Sequence, residues 1–241
     1  MIALRRLIRS MFRACGYDVL RYTRNNFVSL RRAHFLQSNC INVVLDVGAD
    51  EGAFALGIRR SGYTGGIVSF EPRPQAFEVL KRQSERDHGW RCVNTAIGEF
   101  DGETEINISG HKTSSSLLPI SDCHIKAMPA SSYVAKEKVR MSRLDSLVAE
   151  HISHNDWIYL KADVQGYEKQ VLAGAEKTLK QTICIEVELS LTQMYEGSPL
   201  LCEMVEYLAH LGFKPVSIEN VFSNPQTGYI LQVDGIFVRC S

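Results

Sequence analysis

The chain has 241 residues, of which 45% are hydrophobic and 22% charged, a composition and length that suit one globular domain with a substantial core. The formal net charge of zero hides an asymmetry. Residues 1–35 hold eight arginines, no lysine and one acid, Asp18, leaving 19 basic against 26 acidic residues in 36–241, a formal charge of −7. An acidic body excludes a broad nucleic-acid surface, and no apolar stretch approaches the ~20 residues that span a bilayer.

Residues 2–15, "IALRRLIRSMFRAC", place Leu4, Leu7, Ile8, Met11, Phe12 and Cys15 at helical spacing with arginines elsewhere. This is a basic amphipathic helix. One reading has it packing on the body with its arginines in water. The other has it lying on an anionic membrane surface. Arg5, Arg6, Arg9 and Arg13 break any secretory h-region. Residues 1–40 form a basic, largely helical extension, and 41–241 form the main domain.

From residue 41 the pattern alternates. Strands are expected at 41–47, 66–72 and 90–98, with helices at 52–62 and 74–89 between them. "GETEINIS" (102–109) alternates as an edge strand would. Residues 110–135 show little periodicity and many serines, the composition of a lid or substrate loop. A short strand and helix follow at 139–151. Then come a strand at 156–164, a helix at 167–180, a strand at 182–190 and a helix at 199–211. A closing antiparallel pair occupies 213–220 and 229–240. Strands alternating with helices of this length make βαβ units. The expected fold is α/β: a doubly wound, mostly parallel seven-stranded sheet of the class I methyltransferase, Rossmann-like type, with a C-terminal antiparallel hairpin.

The seven cysteines show no CxxC spacing and read as reduced, mostly buried thiols of a cytoplasmic protein. His151 and His154 have no matching pair for a zinc site.

The first loop, "DVGADEG" (46–52), sits where open α/β sheets bind ligands. Gly48 and Gly52 allow close backbone approach. The loop lacks the lysine and hydroxyl of a phosphate loop, and its D-x-G-x-x-x-G spacing fails the dinucleotide pattern. Asp46, Asp50 and Glu51 would repel a pyrophosphate. S-adenosylmethionine, with a sulfonium and an ammonium but no phosphate, suits such a loop better. Glu71, ending strand two in "SFEP", can accept hydrogen bonds from both ribose hydroxyls. A short-chain NAD-dependent reductase is excluded, because "YTRNN" and "YVAKE" both lack its Tyr-x-x-x-Lys pair.

"LKADVQGYE" (160–168) gathers Lys161, Asp163 and Gln165 at the mouth of a strand expected to be buried, where polar groups need partners or a purpose. Glu186 and Glu188 share a face of the next strand. Asp163 is the first choice for the base that deprotonates a hydroxyl before methyl transfer. Asp163 and Glu188 could instead hold a divalent metal. His111 is a third choice, against its plainer reading as a surface loop histidine. A structural network, with Lys161 paired to an acid, is the alternative for the whole cluster.

The blocks "DVGADEGAF", "VSFEPRPQAFEVL", "NTAIG", "RLDSL", "LKADVQGYEKQVLAGA", "IEVELS", "YEG" and "QVDGIFVR" resemble, in order over about 41–239, the FkbM-type methyltransferases. That resemblance implies an S-adenosylmethionine-dependent O-methyltransferase acting on a hydroxyl of a sugar, glycan, glycolipid or polyketide-type product. Carried over residue by residue, it implies that Asp46, Gly48 and Gly52 line the cofactor loop, Glu71 holds the ribose and Asp163 sits in the reaction centre; Ala49, Asp50, Pro72 and Ala96 are further cofactor-binding candidates, beside Lys161, Glu188 and His111 as catalytic ones. Asp50 stands where asparagine is common, and Ala162 where a larger apolar residue is usual. Ser114, Ser115 and Ser116, with Lys112, are expected to bind polar substrate. The alternative is a catalytically silent S-adenosylmethionine-binding scaffold, recruited to a membrane by the basic helix.

Overall fold

A computed structural model of the chain describes residues 2–240, with side chains from Arg5 onward. The chain opens with helix α1 (Ile2–Ala14) and helix α2 (Val28–Ser38). Strand β1 (Val43–Val47) leads to α3 (Ala53–Arg60), β2 (Gly66–Phe70), α4 (Pro74–Ser84) and β3 (Trp90–Val93). The middle holds β4 (Ala96–Gly98), β5 (Gly102–Ser109), α5 (Asp122–Ala127), β6 (Tyr133–Arg143) and α6 (Leu144–Leu147). The last third contains β7 (Ile158–Ala162), α7 (Glu168–Ala173), β8 (Thr182–Ser190), α8 (Leu201–His210), β9 (Phe213–Ser223) and β10 (Ile230–Arg239).

The main sheet has the order β3-β2-β1-β7-β8-β10-β9. All its pairings are parallel except those made by β10, which runs antiparallel to both β8 and β9. The expected doubly wound fold and closing hairpin are therefore present. The order reverses beside β1, so the carboxyl ends of β1, β2 and β7 form the crevice that such sheets use for ligands. β1 is buried along its whole length, as a central parallel strand covered on both faces must be. One face packs Leu45, Leu160, Ile185 and Phe237 beneath α6, α7 and α8. The other packs Val44, Ile67 and Tyr159 against Ala55 and Ile58 of α3 and Leu36 of α2.

The expected single strand at 90–98 is two strands in two sheets. β3 closes the main sheet, and β4 begins a three-stranded sheet of order β4-β6-β5. The break has a local cause. Asn94 Nδ2 donates to the carbonyls of Glu71 and Pro72 at 2.8 and 3.0 Å, tying the chain to the end of β2. Thr95 Oγ1 then bonds the Ala96 and Arg140 carbonyls. β5 is an edge strand, as its alternation predicts, but of this small sheet. The expected loop at 110–135 contains α5, and β6 begins within it at Tyr133.

Two further expectations are corrected. The cysteines are free, but Cys15, Cys40, Cys202 and Cys240 are exposed and only Cys184 is fully buried, because most lie near element ends outside the core. Among the described residues of the N-terminal helix, Leu7, Ile8, Met11 and Phe12 are all exposed, against the reading in which it packs on the body; the side chain of Leu4 lies outside the described residues. α2, in contrast, is clamped down. Arg32 donates from Nε to Glu186 Oε2 at 2.7 Å, with its second nitrogen on the other oxygen. The Tyr159 hydroxyl donates to the same carboxylate. Arg31 bonds Ser217 Oγ at 3.1 Å and pairs with Glu219 on β9.

Glu186 is buried while the Arg32 side chain is 15% exposed, and a buried charge left without its partner is costly. Arg32→Ala is expected to destabilise the fold by roughly 3 kcal/mol in urea denaturation, with the Tyr159 hydroxyl limiting the loss. A cost under about 1 kcal/mol would give this pair no more weight than a surface ion pair.

Candidate active site

The β1–α3 loop bends through three left-handed residues: Gly48 (φ 76°), Asp50 (φ 47°) and Gly52 (φ 90°). Gly48 is required by proximity as well as by φ. A Cβ there would lie 1.9 Å from the Asp163 carbonyl oxygen, so two strand ends meet backbone to backbone. Gly52 serves a different purpose from the one expected. A Cβ on it would strike the Trp90 ring at 2.8 Å, so it accommodates core packing and not the ligand cavity.

An open cavity of about 700 Å³, solvent at its mouth included, lies over these strand ends. Gly48, Asp50, Glu71, Pro72, Ala96 and Asp163 line it, together with apolar Phe70, Ile97, Ile106 and Leu117. The small sheet thus supplies one wall. Of the other residues expected in the site, Asp46, Ala49, Lys161 and Glu188 lie behind the lining, and His111 is not part of it. His111 Nδ1 bonds Ser114 Oγ within its own loop at 3.1 Å.

The first loop is less acidic than its local sequence implies. Each acid has a basic partner brought from elsewhere. Arg73 Nη2 lies 2.5 Å from Asp50 Oδ1. Lys112 Nζ lies 2.5 Å from Glu51 and 3.7 Å from Asp50. Lys161 Nζ lies 3.6 Å from Asp46 and 3.3 Å from Asp163. Repulsion of a pyrophosphate by three unpaired acids is therefore not what this loop would exert. Arg73 was the missed residue. Its only signal was its place two residues after Glu71.

Glu71 is nearly fully buried. Its Oε2 accepts the Asp50 N–H at 2.8 Å, and its Oε1 accepts from Arg73 N and Nε at 3.0 and 3.1 Å. A carboxylate offers about four lone pairs, so Oε2 retains capacity for one further donor. Burial pushes the Glu71 carboxyl up, and Arg73 opposes this.

Lys161 is a buried cation between two carboxylates, with the Phe54 ring 5.4 Å from its Nζ. Burial disfavours its charge, but Asp163, Asp46 and Glu186 outweigh that and raise its pKa. Asp46 is fully buried. Ser69 Oγ donates to its Oδ2 at 3.1 Å, and Trp90 Nε1 in turn bonds Ser69. Burial raises the Asp46 pKa, with Lys161 working against the rise.

Asp163 and Glu188 do end side by side, as expected of neighbouring strands, and Gln165 joins them. Its Nε2 donates to Asp163 Oδ1 at 2.8 Å and to Glu188 Oε2 at 3.1 Å. The Tyr195 hydroxyl donates to Gln165 Oε1 at 2.7 Å. The amide thus occupies the place between the carboxylates where a shared metal was considered. Among the described residues, no group of three or more His, Cys, Asp or Glu side chains is placed to hold a metal. Burial, then Asp163, Glu168 and Asp234, raise the Glu188 pKa well above the carboxylate range. Asp163 is more open: its side chain is 36% exposed.

The turn after β7 explains why its sequence block ends in Glu168. Gln165 (φ 57°) and Gly166 (φ 96°) are both left-handed, an arrangement that needs an external hold. Glu168 Oε1 supplies it, accepting the N–H groups of Val164 and Gly166 at 3.0 and 3.2 Å. The serine loop closes over this turn. Ser116 Oγ donates to the Gln165 carbonyl at 2.7 Å, and Thr113 and Ser115 face the cavity. Of the three serines expected to bind substrate, Ser114 and Ser116 are buried and Ser115 alone of them is half-exposed on the lining.

A doubly wound sheet with a carboxylate-lined cavity at the ends of β1, β2 and β7 defines a protein of the class I methyltransferase type. The chain belongs to the FkbM methyltransferases: the model described as "Methyltransferase FkbM domain" matches residues 46–215. A relative, the 2-O-methyltransferase NoeI of Sinorhizobium fredii (strain NBRC 101917 / NGR234), is 25% identical over 173 residues, 69% of this chain and 70% of that protein. Among solved structures, an rRNA methylase from Streptococcus thermophilus is similar at a TM-score of 0.49 and 9% identity, over 88% of this chain and 95% of that one. Aeropyrum pernix fibrillarin, with natively bound S-adenosyl-L-methionine, is similar at a TM-score of 0.46 and 12% identity, over 80% of this chain and 66% of that one.

Burial raises the Glu168 pKa from 4.5 to about 7, opposed by the backbone N–H groups on its carboxylate. A carboxyl raised on folding binds more protons in the native state, so it favours the fold below its unfolded pKa. That contribution is lost as pH rises from 4.5 through about 7. Glu168→Gln keeps the accepting oxygen and removes the titration. Its stability, from denaturant melts across that window, is expected to depend less on pH than the parent's, by roughly 1–3 kcal/mol. Parallel pH profiles would place the titration elsewhere.

Proposed function

We propose that this chain is an S-adenosylmethionine-dependent O-methyltransferase whose acceptor is a hydroxyl of a sugar, glycan or glycolipid. The observation that carries the reading is the Asp163 carboxylate. It forms part of the cavity wall and is held from two sides by Lys161 and Gln165, with a lone pair left on each oxygen. Membership in a methyltransferase family and the 2-O-methyltransferase name of a relative support it.

The residues present fit the donor. Phe70, Ile97, Ile106 and Leu117 offer apolar walls to an adenine, Glu71 Oε2 has room for one ribose hydroxyl, and Gly48 leaves backbone open at the loop. When bound, S-adenosylmethionine supplies an electrophilic methyl group on a sulfonium. The charge argument for it moves from the loop to the strand ends. Around Lys161 and Arg32 lie Asp46, Asp163, Glu186 and Asp234. Burial, then Glu186 and Asp163, raise the Asp234 pKa to about 7. Carboxyls that raise one another in this way favour a cationic neighbour.

Asp163 accepts the proton of the acceptor hydroxyl, which becomes nucleophilic as it is lost. Lys161 steadies the carboxylate electrostatically, and the Gln165 amide fixes its rotamer. Glu188 lies behind the cavity lining with its Oε2 engaged by Gln165 and Gln232, so it is not placed to take that proton. The Thr113 and Ser115 side of the cavity gives the acceptor polar contacts.

Asp163→Asn preserves shape and removes the base. It is expected to leave S-adenosylmethionine affinity within about twofold while cutting S-adenosylhomocysteine release in a sugar-acceptor screen by about 10²–10⁴. Retained turnover would exclude Asp163 as the base. Donor binding by the parent chain with no turnover on any hydroxyl acceptor would favour the silent scaffold.

A further inference from the structure

The N-terminal helix is unused by the site described above, and its side chains divide cleanly. At 100° per residue, Arg5, Arg6, Arg9 and Arg13 fall within an arc of about 100°, and Leu7, Ile8, Met11 and Phe12 within about 140° on the opposite side. The apolar side is bare: Leu7 is 58% and Met11 63% exposed. From Arg5 to Ala14 every side chain but that of Arg9 is exposed. The apolar surface continues past the helix through Tyr17, Leu20 and Tyr22, also exposed. Tyrosine, with an apolar ring and a polar tip, suits a boundary between water and an apolar phase.

We propose that α1 docks this protein on an anionic lipid bilayer. The apolar arc enters the headgroup boundary, and the arginines meet the lipid phosphates and carboxylates. Charge complementarity selects this occupant. Leaving aside Arg31 and Arg32, which pair with the body, residues 1–30 carry six arginines and one acid against a formal charge of −5 over residues 31–241. A negative surface therefore attracts the extension and repels the rest, so docking is oriented as well as attractive. A second copy of the helix would bring like charge to like charge. A nucleic acid would satisfy the arginines and leave the apolar arc in water.

The extension also has a mount. Asp18 accepts from Arg9 at 2.7 Å and Arg13 at 3.0 Å, folding residues 15–18 back along α1. Further on, Arg31 and Arg32 fasten α2 to β9 and β8. The segment that follows α1 is thus anchored to the sheet at α2. The bilayer would bring the cavity's protein body to a surface where a lipid-linked acceptor resides, although docking itself does not depend on the identity of the donor or the acceptor.

The test is vesicle flotation of the full chain. Phosphatidylcholine vesicles are compared with vesicles holding equal amounts of phosphatidylcholine and phosphatidylserine. Two variants are run beside the parent: Arg5→Gln/Arg6→Gln/Arg9→Gln/Arg13→Gln, and Leu7→Ser/Met11→Ser/Phe12→Ser. Their thermal melts should match the parent's, because the altered side chains are not core. The parent is expected to float only with the anionic vesicles and to be released by salt. Each arginine near such a surface contributes roughly fivefold, so the first variant should lose far more than tenfold in partitioning. The second should lose binding even though its charge is intact. Failure of the parent to float, or equal flotation of parent and variants, would overturn the proposal. So would a dimer abolished by the apolar variant in the absence of vesicle binding, or tight RNA binding in its place.

Discussion

The Lys161 ammonium, set between Asp46 and Asp163 at the junction of β1 and β7, is the constraint on which the site depends. Three ionisable groups meet where two central strands end, and only the lysine is positive. Without it, Asp46 would be a fully buried carboxylate with Ser69 as its remaining bond, and Asp163 would face it as a like charge. With it, one carboxylate becomes a structural counter-ion and the other stands partly exposed on the cavity wall. A buried ion pair gains little net stability over a well-packed apolar core. Here it fixes which acid is available for chemistry.

The same junction sets the backbone. Gly48 permits the Asp163 carbonyl to approach to within bonding range of where a Cβ would stand. The turn that follows is held by Glu168 below and Ser116 above. Left-handed residues at Asp50 and Gln165 are the kind of strain that persists only when neighbours over-determine it. Both are over-determined, Asp50 by Arg73 and the Glu71 carboxylate, Gln165 by Asp163, Glu188 and Tyr195. Loop, turn and serine-rich segment are thereby one hydrogen-bonded unit.

What the sequence made legible was local. Apolar runs such as 43–47 and 182–190 and the glycines at the loop specified strands, turn and crevice, because period and φ are properties of a few neighbouring residues. The block from Lys161 to Glu168 announced a polar cluster at a strand end for the same reason. The misreadings at the site and in the sheet were long-range. The first loop looked unpartnered because Arg73, Lys112 and Lys161 lie 21 or more residues beyond its last acid-bearing position in the chain or on other strands. Gly52 looked ligand-facing because Trp90 is distant in sequence. The strand at 90–98 looked continuous because its propensities are, while Asn94 hands the chain from one sheet to another through the end of β2. Tyr195, which orients Gln165 from a loop beyond β8, gave no local signal of that role.

The most direct measurement is a calorimetric titration of the full chain with S-adenosylmethionine, NADH and ATP under one set of conditions. A cavity built from Gly48, Asp50, Glu71 and the acid-rich strand ends should give saturable one-to-one binding of S-adenosylmethionine and no binding of the other two. Tight binding of NADH or ATP, with none of S-adenosylmethionine, would contradict the assignment of this crevice.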